Sequence, residues 1–206
     1  MPSPPTNATV VLRRGRGRRP TAQVRAEVLA AAGALLLESG MGAFTIEAVV
    51  ARSGASKMTI YKMWPSKGAL ALEGYYATVE DTLAFPDTGD IRADLTTQLH
   101  ALIDLLTASP AGEVVRGLIG HAQTDAELRA QYLRTYSGPR RELAVQALTR
   151  AVERGQLRHD LDCESVVDQL WGACYHRLLL PDLPLTHAYA EALVANLFNG
   201  ITSNTP

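Results

Sequence analysis

From about Thr21 onward the apolar residues of this chain recur at steps of three and four, and no alternating run of β-branched residues of useful length occurs. That period lines one face of a helix and cannot line one face of a strand. An all-α fold is therefore predicted. Val24, Val28, Ala32 and Leu35 or Leu36 form the first stripe, and Gly40 is placed to stop it. Leu95, Leu99, Leu102, Ile103 and Leu106 form a stronger one; Pro110 interrupts it, and Val114, Val115, Leu118 and Ile119 resume it. Residues 126–154 read as one long helix kinked near Ser137-Gly138-Pro139, or as two in sequence. Two more follow over 163–180 and 186–202, separated by the Pro181–Pro184 loop.

At 206 residues the chain can bury a sizeable core. No stretch reaches the roughly 20 continuous apolar residues of a membrane helix, and the N-terminus lacks the basic-then-apolar order of a signal peptide. A cytoplasmic protein with no membrane partner is expected. Cys163 and Cys174 lie eleven residues apart, about 16 Å along one helix, too far for an intrachain bridge. Two packed thiols are expected there.

The net charge of −1 conceals an asymmetry. Residues 1–70 hold ten Lys/Arg against three acids, and residues 71–206 hold ten against eighteen. Only the N-terminal end is thus suited to a polyanion. Residues 1–20 read as a flexible basic arm in which Arg13, Arg14, Arg16, Arg18 and Arg19 surround two glycines. Arginines on such an arm can enter a narrow minor groove of DNA.

Residues 21–66 read as a three-helix unit. Thr45 can cap a short second helix whose inward face is Ile46, Val49 and Val50. Ser53-Gly54 breaks it, Ser56 can cap a third, and Pro65 ends that one. Two short helices around a tight glycine turn make a helix-turn-helix. On the third helix Ile60, Met63 and Trp64 share the inward face, which turns Lys57, Met58, Thr59, Tyr61 and Lys62 outward. Ammonium, hydroxyl and thioether groups of this kind suit the edges of bases in the major groove. Tyr61 and Lys67 are better placed for phosphates, next to a helix start near Ser66.

The stretch from about residue 20 to 70 resembles the tetracycline-repressor-like (TetR/AcrR) transcriptional regulators. The resemblance is carried by Ala30-Ala31-Ala32 and Gly40, by Phe44-Thr45-Ile46, by Ser53-Gly54-Ala55-Ser56, and above all by Thr59-Ile60-Tyr61 followed by Trp64-Pro65-Ser66-Lys67. Trp64 stands where Phe is commonest in the family, and Met58 where Gly is frequent. The resemblance implies about nine helices and a homodimer on a palindromic operator in double-stranded DNA. It also implies a body over 67–206 that binds a small-molecule effector, with the last two helices forming the dimer interface. Arg16, Arg18, Arg19, Thr45, Ser56, Lys57, Met58, Thr59, Tyr61, Lys62 and Lys67 are then the candidate DNA contacts.

For an effector, the polar-aromatic candidates in the body are His100, His121, Tyr132, Tyr136, Trp171, Tyr175 and His176. Their types do not select a ligand charge. The cluster His159, Asp160, Asp162 and Cys163 reads as a polar loop with a helix cap, not a metal site. No cofactor and no catalytic motif is expected. The expected function is a ligand-released repressor; the alternatives are a DNA-binding regulator with no effector, or a helical ligand-binding protein or enzyme.

Overall fold

The computed structural model describes residues 19–79, 84–180 and 182–201. Among them every regular element is helical: α1 (Thr21–Ala43), α2 (Ile46–Ser53), α3 (Lys57–Met63), α4 (Lys67–Val79), α5 (Ile91–Thr107), α6 (Ala111–Thr124), α7 (Ala126–Tyr132), α8 (Gly138–Glu153), α9 (Cys163–Leu179) and α10 (His187–Asn199). A π-helical turn, Leu133–Ser137, joins α7 to α8. Counting that run as one gives nine helices among the described residues, the expected all-α architecture.

The helix starts follow the local chemistry read from the sequence. Thr45, Ser56 and Ser66 accept the backbone N–H of Ala48, Thr59 and Ala69, each at 3.1 Å. Asp90, Asp125, Asp162 and Thr186 do the same for α5, α7, α9 and α10. Each such cap contributes about 1 kcal/mol. Gly54 ends α2 in the left-handed conformation (φ 66°), which a side chain would strain. Gly40 breaks α1 at φ 69°, leaving a last turn whose Met41 is buried.

Where a kink was expected near Pro139, the helix instead widens. The Gly138 N–H reaches back five residues to the Leu133 carbonyl, and a Cβ at 138 would lie 2.5 Å from that oxygen. Proline has no N–H for the ordinary ladder, and the wider turn accommodates it without breaking the helix.

One continuous apolar cluster runs from Val28 in α1 to Val194 in α10. α4 is its pivot, lying along α1 at backbone contact. A Cβ at Gly33 would lie 2.6 Å from the Gly74 carbonyl oxygen, and one at Gly74 would lie 2.7 Å from the Ala32 Cβ. α1 is also the one helix among the described residues that is long and apolar enough to cross a membrane. Its apolar face is taken by α2, α4 and α6.

Candidate functional site

α3 is anchored from below. Ile60 is fully buried and Trp64 nearly so. The Trp64 indole N–H donates to Glu73 of α4, which also pairs with Arg25 of α1, and the Arg25 guanidinium lies 5.2 Å from the centre of the Trp64 ring. Three helices thus meet on one side chain, which sets the tilt of α3. On the opposite side Lys57, Met58, Tyr61 and Lys62 are exposed, Met58 by 81%.

The outward residues are not equivalent. The Lys57 ammonium donates to Glu47 at 2.6 Å, so one of its three donors is already held by a carboxylate. The pairing holds the Glu47 carboxyl below its ordinary range and raises Lys57. Thr59 is half-buried, and its hydroxyl lies 2.8 Å from that of the exposed Ser56. Thr45 and Lys67 are exposed, each at a helix start, where backbone N–H groups are free for an anion.

Arg19 departs from the expectation of a free arm. Its guanidinium donates to Glu27 and, at 2.9 Å, to the Gly54 carbonyl in the turn between α2 and α3. A fork of donors fits a carboxylate and a carbonyl together, which ties Arg19 to the turn. Arg16 and Arg18 lie outside the described residues.

In the body, the seven polar-aromatic candidates separate. Tyr136, Trp171 and Tyr175 line a cavity of about 190 Å³ between α5, the π turn, α8 and α9, together with Phe85, Gln98, Arg140 and Asp168. Tyr132 stands behind it, its ring 5.3 Å from that of Tyr136. Burial raises the phenols of Tyr75, Tyr132 and Tyr175 well above the ordinary tyrosine range, so they stay protonated. His100, His121 and His176 are elsewhere. His100 stacks on His187 of α10 at 4.1 Å, His121 bonds the carbonyl of Gly117 in its own helix, and His176 is exposed. Arg140 was missed by the sequence reading; its one prior signal is the Arg140-Arg141 pair directly after Pro139 at the start of a helix.

Tyr136 also packs on α4. Its ring lies 5.6 Å from Tyr75 and 6.3 Å from Tyr76, both on α4. Among the described residues no group of three or more His, Cys, Asp or Glu is arranged to hold a metal. Cys163 and Cys174 are both free thiols.

Comparison with known proteins agrees with this geometry. Residues 28–73 match the model for bacterial regulatory proteins of the tetR family, and residues 85–197 match a tetracyclin repressor-like C-terminal domain. The uncharacterized HTH-type transcriptional regulator YdeS of Bacillus subtilis (strain 168) is 35% identical over 190 residues, 92% of this chain and 96% of that one. The DNA-binding transcriptional repressor TetR of Mycobacteroides abscessus is 32% identical over 172 residues, covering 82% and 88%. The crystal structure of the TetR family transcription regulator SCO0332 superposes with a TM-score of 0.83 at 56% identity, over 87% of this chain and 99% of that one.

Proposed function

The chain belongs to the tetR family of bacterial regulatory proteins, DNA-binding transcription regulators and not enzymes, and from that premise we propose that it is a dimeric cytoplasmic repressor released from its operator by a small molecule. Two copies of α3 enter successive major grooves, so the operator is a palindrome. Lys57, Met58, Thr59 and Lys62 face the bases. Ser56 sits at the helix start beside them, and Thr45, Tyr61 and Lys67 hold phosphates; Arg16 and Arg18 extend the contact into the minor groove. Arg19 anchors that arm to the turn. We assign the dimer contact to the outward faces of α9 and α10, near which Leu179, Leu180 and Leu183 are 41%, 57% and 52% exposed.

The observation that carries the effector reading is the double role of Tyr136. It lines the cavity and packs on α4, the helix that lies along α1 at backbone contact. A ligand that displaces the Tyr136 ring moves α4, and α4 cannot move without carrying α1 and the helix-turn-helix. Such a coupling is typically about 1–3 kcal/mol between the two sites.

Selection of bound fragments from a genomic library tests the reading, with the Tyr61→Ala, Lys67→Ala double variant alongside. The wild type enriches a palindrome and the double variant does not. Bulk, salt-sensitive binding by both proteins, with no sequence enriched, overturns it.

A further inference from the structure

Two arginines stand side by side on the cavity wall with opposite fates. Arg141 is saturated: its guanidinium bonds the carboxylates of Glu164 and Asp168 and the carbonyl of Glu164. Arg140 takes part in no ion pair among the described residues. It donates one bond, to the Val79 carbonyl at 3.3 Å, and its charge rests 5.2 Å from the Tyr136 ring and 5.9 Å from the Tyr76 ring. Its Nε is buried and meets no hydrogen-bond partner. Among the described residues this half-buried guanidinium is held by ring faces and one carbonyl and meets no carboxylate, which leaves its charge available to an anion. The lining holds two cations and one carboxylate, Asp168, which Arg141 already occupies.

The rest of the wall is aromatic. Phe85 and Trp171 face each other at 6.3 Å and 36°, and Tyr175 completes that side. The buried phenols remain neutral donors, so none competes with an anionic guest for Arg140. Tyr136 and Arg140 are four residues apart at the end of the π turn, and both line the cavity. The space, about 190 Å³, is a little larger than the roughly 150 Å³ apolar cavity that holds benzene. It admits one six-membered ring with one or two small substituents, and no long acyl chain.

We infer that this cavity takes a single-ring aromatic carboxylate, its anion on Arg140 and its ring against Phe85, Trp171 and Tyr175. The inference rests on the reading of the cavity as the effector site.

Calorimetry on the full chain decides it, using benzoate, 4-hydroxybenzoate and phenylacetate, each against its neutral amide, and benzylamine as the cation. The acids bind on the order of tenfold to a hundredfold tighter than the amides, the span expected of a charge-assisted hydrogen bond. Arg140→Gln removes the preference, and Arg140→Lys keeps part of it. Amides or benzylamine binding as tightly as the acids overturns the inference, as does an absence of acid binding at millimolar concentration. If Arg140→Gln does not fold, the acid-to-amide ratio of the wild type decides alone. Operator titration with the same compounds separates this claim from the release mechanism. An acid that binds without weakening operator affinity refutes release while supporting the site's chemistry. Release by a cationic or long-chain compound, with no acid bound, refutes the chemistry and leaves release intact.

Discussion

Adding one methyl group at Gly74 tests the claim that α1 and α4 touch backbone to backbone. A Cβ there would lie 2.7 Å from the Ala32 Cβ and 3.0 Å from the Gly33 nitrogen. Ordinary carbon–carbon contacts are about 3.5–4.0 Å, so the helices must separate by roughly 1 Å. Overpacking of this kind costs about 1–3 kcal/mol. The substitution also gains about 1 kcal/mol of helix propensity, because alanine loses less backbone entropy than glycine. The net is a loss of up to about 2 kcal/mol, and Gly74→Ala is expected to lower Tm by up to about 8 °C in a chain of this length. Gly120→Ala in α6 is the control. Gly120 is exposed, nothing lies within 4 Å of a Cβ there, and only the propensity gain remains. Tm should rise by a few degrees. Both are measured by calorimetric unfolding at one protein concentration, since dimerisation makes Tm concentration-dependent. If Gly74→Ala is as stable as Gly120→Ala, the backbone contact is absent, and with it the proposed route from cavity to DNA.

Three further outcomes are expected. Trp64→Phe removes the indole donor to Glu73 and should destabilise by about 1–2 kcal/mol in urea titration, whereas Trp64→Ala, which empties a site 2% exposed, should cost about 3–5 kcal/mol. Burial pushes the Cys174 thiol up to about 11. The folded state therefore holds that proton more tightly than the unfolded one, and stability is full below about pH 9 and falls as pH rises toward 11; Cys174→Ala should flatten that part of the profile. Thr45→Ala removes the α2 cap, at about 1 kcal/mol, and should weaken operator and non-operator DNA by the same factor, because a phosphate contact carries no sequence information.

The all-α class, the helix-turn-helix and its caps were legible in the sequence because they rest on short-range chemistry. A three-and-four apolar period, a serine or threonine before a helix and a glycine after one act within a single turn or two. The outward face of α3 was legible for the same reason, once Ile60 and Trp64 had fixed the inward one. Which side chains meet across 50 or more residues was not legible. Tyr136 and Tyr75 are unremarkable aromatics in sequence, and only the packing of the π turn on α4 puts their rings together. Arg140 looks like any arginine on a helix, and so does Arg141. Tertiary structure decides that Glu164 and Asp168 of α9 pair with Arg141, while Arg140 rests on the Tyr136 and Tyr76 rings. Local propensity writes the helices into the chain, while the partners of a buried charge depend on which helix lies beside it.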